Sequence, residues 1–90
     1  MNKKLLDIYG KISILLGEVA PTSCEKHLYW IVEYDKNQLM IELSIDTDNI
    51  ELHIYWLMKA DDVAIQIDSH DTIYTIIGYA TELGIKTIQG

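Results

Sequence analysis

Along the first twenty positions the apolar residues recur with a helical period. At about 100° per residue, Leu5, Ile8, Tyr9, Ile12, Leu15, Leu16 and Val19 share one face. Lys4, Asp7, Lys11 and Glu18 lie elsewhere, and Ile14 points outward. The spacing predicts an amphipathic helix over 3–19. Pro21 is expected to end it, because the ring restricts Ala20 and removes a backbone donor. Thr22-Ser23-Cys24 reads as a connecting loop.

From His27 the period changes to two and holds through residue 68. Leu28, Trp30, Val32 and Tyr34 alternate with His27, Tyr29, Ile31, Glu33 and Asp35. Leu39, Ile41, Leu43 and Ile45 alternate with Met40, Glu42, Ser44 and Asp46. Ile50, Leu52, Ile54, Trp56 and Met58 alternate with Glu51, His53, Tyr55 and Leu57. Val63, Ile65 and Ile67 alternate with Ala64, Gln66 and Asp68. These are four half-buried strands, rich in β-branched and aromatic residues.

Two-residue turns at Lys36-Asn37, Thr47-Asp48 and Ala60-Asp61 would close three hairpins. Trp30 then faces Leu43 and Leu52, Val32 faces Ile41, Ile54 and Ile67, and Tyr34 faces Leu39, Trp56 and Ile65. Apolar meets apolar throughout, and a one-residue slip would destroy the match. Ser69 or Asp71 caps a final helix from about 72 to 83, with Ile73, Ile76, Ile77, Ala80 and Leu83 on one face and Gly84 just past its end. Residues 85–89 form either a short extra strand or an ordered tail. The expected fold is α+β, one domain over 1–90. It is a two-layer sandwich of a four-stranded antiparallel meander and an N-terminal and a C-terminal helix, in the order α-β-β-β-β-α.

Composition changes the picture chiefly through charge. The chain has 14 acidic residues against 7 basic ones, a net charge of −7, and every basic residue is Lys. Without Arg there is no bidentate phosphate clamp, and a domain this acidic is repelled by nucleic acid and by anionic membranes. A basic protein partner is favoured instead. Cys24 is the only cysteine, which precludes an internal disulfide and points to a reducing compartment. Asp7 interrupts the start Met1-Asn2-Lys3-Lys4-Leu5-Leu6 and argues against a signal peptide, and no apolar run is long enough to span a membrane. The expectation is a cytoplasmic protein.

Catalytic patterns fail on geometry. Ser69-His70-Asp71 has the letters of a triad, but adjacent residues cannot adopt its arrangement. Gly10, Gly17, Gly78 and Gly84 lack phosphate-loop spacing. Asp46-Thr47-Asp48-Asn49-Ile50-Glu51 opens like a calcium loop, yet it lacks the glycine at the sixth position, and Leu57 stands where the closing Glu belongs. A turn rich in Asx residues accounts for it.

The outward residues of the sheet are more informative. In the predicted register Ile31, Glu42, His53 and Asp68 form a row, with Glu33, Met40, Tyr55 and Gln66 on one side and Tyr29, Ser44 and Glu51 on the other. His53 between two carboxylates is a conceivable divalent-metal or acid–base set. Ordinary cross-strand pairing on a solvated face, at under about 1 kcal/mol per pair, explains the same residues. A third reading is an interaction surface. Tyr29, Ile31, Met40, Tyr55 and Leu57 are larger and more apolar than a solvated face needs. Glu33, Glu42, Glu51 and Asp68 interleave with them, with Asp61 and Asp62 at one rim and Asp46 and Asp48 at the other. Aromatic anchors ringed by acids suit a basic protein.

The N-terminal third carries a family resemblance. Ile8-Tyr9-Gly10-Lys11-Ile12, Leu15-Leu16-Gly17-Glu18-Val19-Ala20-Pro21 and Glu25-Lys26-His27-Leu28-Tyr29-Trp30 resemble the start of the YezG-like bacterial immunity proteins. The resemblance implies a role in neutralising a secreted or contact-delivered toxin, typically a nuclease, and it carries over no catalytic residue. The expected function is that of an immunity protein or antitoxin, not an enzyme, with no cofactor and no bound metal. Its partner would be a basic toxin domain held by Glu33, Glu42, Glu51, His53, Tyr55 and Asp68, with Asp46, Asp48, Asp61 and Asp62 as alternatives at the turns. The competing expectations are an acidic nucleic-acid mimic directed at a restriction or defence enzyme, a small enzyme or metal-dependent module centred on His53, and a structural subunit.

Overall fold

Helix α1 (Lys3–Leu15) is the first element of the computed structural model, which describes residues 3–46, 49–58 and 64–90. Its inward face is the predicted one: Leu5, Ile8, Ile12 and Leu16 are buried, whereas Ile14 is 67% exposed. The helix stops earlier than Pro21 requires. Gly17 takes φ 86° and Glu18 φ 61°, and the Gly17 and Glu18 amides donate back to the Ile14 and Ser13 carbonyls at 3.1 and 2.8 Å. This is a glycine-based Schellman ending, which satisfies the last carbonyls. Val19 is therefore in a loop instead of on the helix. Its carbonyl accepts a 2.8 Å hydrogen bond from the Trp30 indole nitrogen, tying that loop to the sheet.

The sheet contains strands β1 (Thr22–Cys24), β2 (His27–Tyr34), β3 (Asn37–Asp46), β4 (Asn49–Trp56), β5 (Ile65–Gln66) and β6 (Lys86–Gln89). Strands β1 to β4 are consecutive and antiparallel, and helix α2 (Asp71–Glu82) precedes β6. The architecture is the expected α+β sandwich with a helix near each end of the chain. Its four antiparallel strands are not the four that the alternation named, because Thr22–Cys24 forms a hairpin arm on β2 instead of a loop.

The β3–β4 hairpin has the predicted register, with Glu42 opposite His53 and Leu43 opposite Leu52. The β2–β3 register differs by two residues. The turn is Asp35-Lys36, with φ 49° and 66°, and Val32 pairs with Leu39, Trp30 with Ile41 and Leu28 with Leu43. An even slip leaves every side chain on its face, so alternation cannot detect it. Asn37 holds the tighter turn by donating to the Asp35 carbonyl at 3.1 Å.

The turn predicted at Ala60-Asp61 lies outside the described residues, and among those described β4 and Ile65-Gln66 are not paired as a third hairpin. Ile65-Gln66 pairs with β2 in parallel, at Val32 and Glu33, while the free edge of β4 is taken by β6, also in parallel. Ile65 and Ile67 still pack against the core. Period two fixes the face a residue occupies, and it says nothing about which strand lies beside it. Helix α2 ends on a second Schellman motif: Gly84 has φ 74°, and the Gly84 and Ile85 amides donate to the Thr81 and Ala80 carbonyls. That reversal aims Ile85 into the core and starts β6.

Both helices lie on one side of the sheet. Ile8, Ile12 and Ile76 meet Val32, Ile41, Leu43 and Leu52, all essentially inaccessible, and Tyr9 packs edge-on against Trp30 at 6.1 Å. The helices also touch through Lys11, whose ammonium sits 5.2 Å from the centre of the Tyr79 ring. Ile41→Ala should therefore lower unfolding free energy by about 2–5 kcal/mol in urea denaturation. Ile14→Ala should change it by less than about 0.5 kcal/mol.

Candidate interaction surface

The face of the sheet turned away from the helices is built from the odd residues of β2 and β4 and the even residues of β3. One row runs Cys24, His27, Ser44, Glu51 and Lys86, and the next Thr22, Tyr29, Glu42, His53 and Ile88. A third row is Ile31, Met40 and Tyr55, and a fourth holds Gln66, Glu33 and Gln38. Among the described residues no element packs over this face. Tyr29, Ile31, Met40, Tyr55 and Leu57 are half-buried by their neighbours alone.

Of the predicted residues, Glu42, Glu51, His53 and Tyr55 do share one patch. His53 Nε2 lies 3.3 Å from Glu51 Oε1, and His27 Nδ1 lies 3.5 Å from Glu42 Oε1. The second is a close approach without a hydrogen bond, since His27 Nδ1 is shielded from solvent and makes none. The Tyr55 hydroxyl donates to Met40 Sδ at 2.7 Å, joining the two largest groups of the apolar row. Burial, and then the Glu42 charge, push its phenol pKa above the usual range, so the ring stays neutral.

Glu33 is already committed within the chain. Gln66 Nε2 donates to Oε1 at 2.9 Å and Gln38 Nε2 to Oε2 at 3.1 Å. These two bonds, the Gln66 one foremost, hold its pKa below the usual carboxylate range. With the Ile67 amide donating to the Glu33 carbonyl at 3.0 Å, they fasten β5 to β2. The residue is a clamp more than a free acid.

Asp68 is misplaced in the predicted row. It follows β5 on the far edge of β2, exposed, and Ile31 stands opposite Met40 instead of Glu42. The three-residue set of Glu42, His53 and Asp68 is therefore not assembled. Among the described residues no group of three His, Cys, Asp or Glu side chains is placed to hold a metal ion. Asp46 sits exposed at the end of β3 opposite Asn49. Asp48, Asp61 and Asp62 lie outside the described residues.

Sequence reasoning missed an aromatic cluster at the other end of the inner face. Tyr34 and Trp56, the last residues of β2 and β4, meet His70 and Tyr74 at the start of α2. Tyr34 lies edge-on to His70 at 4.5 Å, Trp56 at 6.0 Å, and Tyr74 is 6.4 Å away. The available signal was Tyr74, which falls off the apolar stripe of its own helix.

No family model, curated protein or solved structure matches the chain. No helix among the described residues is long and apolar enough to cross a membrane.

The Glu33 clamp makes a pH prediction. Its folded pKa is depressed, so its contribution to stability is complete above the unfolded glutamate value and disappears as pH falls through the folded one. Glu33→Gln should remove that acid-side dependence, measured as the change in urea midpoint between neutral pH and the acid end of the folded range. An unchanged pH profile would show that the clamp does not hold the edge.

Proposed function

We propose that the chain is a non-catalytic immunity protein or antitoxin of the YezG-like kind. It acts in the bacterial cytoplasm by binding a basic toxin domain, a nuclease, through the uncovered face of the sheet. The observation that carries the reading is the row Ile31, Met40 and Tyr55, half-exposed on the sheet, with Glu42 in the adjoining row and Glu51 in the row beyond. Aromatic and Met side chains supply contact area at small entropic cost, and the carboxylates steer a cationic partner and select against an anionic one. The net charge of −7 acts in the same direction over longer range. Glu42 and Glu51 take the place of substrate phosphates, pairing with lysines or arginines of the toxin, while His53, in contact with Glu51, orients it. Asp46 and Asp68 lie off the row and contribute only to the long-range field.

Growth protection tests this reading. Where the neighbouring reading frame encodes a basic toxic domain, co-expression with it should restore growth, and Glu42→Lys with Glu51→Lys should lower the association rate by about tenfold or more at low salt. The loss should shrink as salt is raised. Full protection by the double variant, with an unaltered association rate, would remove this face from the mechanism.

A further inference from the structure

The aromatic end of the sandwich is a surface that the outer face does not account for. Trp56 continues the inward series Ile50, Leu52 and Ile54, all buried, yet it is 49% exposed. It stands at the end of the inner face, where its ring neighbour is His70, the residue just before α2. Tyr74 in the first turn of α2 is 65% exposed, and the Met58 side chain is fully exposed just beyond β4. Solvent thus meets two large aromatic rings, Trp56 and Tyr74, each set against the His70 ring, which also meets Tyr34. A small chain that must use its apolar residues for a core has left its second tryptophan half outside it.

We infer that Trp56, Tyr74 and Tyr34 form a second docking site, which takes an arginine side chain of a basic protein partner. The rings supply π-faces for a planar guanidinium, which stacks on aromatic faces better than a lysine ammonium does. Asp71 lies between His70 and Tyr74 in the chain, exposed in the first turn of α2, and provides the carboxylate that a stacked guanidinium pairs with. The net charge of −7 selects a cation over the bases of a nucleic acid, the other common occupants of aromatic platforms. The inference rests on the proposed reading only in taking the partner to be a basic protein, and it assigns that partner a contact on a different face.

The two tryptophans make a direct test. Trp30 is 2% exposed with its indole nitrogen bonded to Val19, so it reports on folding, and Trp56 reports on the site. The full chain is titrated with a peptide of alternating Arg and Gly, and with a Lys–Gly peptide of equal length, and the indole N–H resonances are followed. The Arg peptide should shift the Trp56 signal and leave Trp30 unmoved. It should bind more tightly than the Lys peptide, and Trp56→Leu or Tyr74→Ala should weaken it about threefold or more. Tyr74 is exposed enough that its removal leaves the fold intact, which an unshifted Trp30 resonance verifies. Glu42→Gln with Glu51→Gln should leave the Trp56 response in place, so that failure of the outer-face reading and failure of this one are separable. An unmoved Trp56 signal, equal binding of the two peptides, or wild-type affinity in Tyr74→Ala would overturn the inference.

Discussion

Two helices of about a dozen residues suffice to cover one side of a sheet, and here both are on the same side. Everything else follows from that asymmetry. The buried inward positions of β2, β3 and β4 are aliphatic or Trp30 and form one core with Ile8, Ile12 and Ile76. The outward positions must therefore remain compatible with water while carrying whatever recognition the chain performs. A 90-residue chain has little further apolar surface to spend on a second layer.

Alternation made the faces legible and left the neighbours open. Every outward residue named from the sequence in β2, β3 and β4 is outward in the structure, because a strand cannot change face without an odd slip. The two-residue shift at Asp35-Lys36 and the parallel pairing of Ile65-Gln66 are invisible to the same argument, since both conserve parity. Asp68 lies away from the His53 row, so Glu42, His53 and Asp68 are not brought together, while Glu42 stays opposite His53 because its hairpin is in register. Helix ends were legible where glycine acted alone, at Gly84, and less so at Gly17, where a nearby proline drew the boundary too late. The short arm Thr22–Cys24 has no apolar alternation at all and is held by backbone pairing to β2, a signal that hydrophobicity does not carry.

The candidate surface has a division of labour that composition conceals. Glu33 spends both oxygens on Gln38 and Gln66, so it secures an edge strand, whereas the contacts of Glu42 and Glu51 include the imidazoles of His27 and His53. Acidity alone would have ranked the three equally. The aromatic end adds a second place where the chain forgoes burial, at Trp56, the last inward residue of β4. Outer face and aromatic end together present aromatic or Met anchors with nearby carboxylates on two surfaces of one small domain.

The central claim is that the uncovered sheet face is where a basic protein binds, and the methionine methyl groups test it most directly. Met40 lies in the middle of that face, bonded through its sulfur to Tyr55, and its methyl resonance reports contact without any mutation. On titrating methyl-labelled protein with a basic protein domain that forms a complex with it, the Met40 signal should shift or broaden in step with complex formation. A complex that forms while the Met40 methyl keeps its free position would contradict the account.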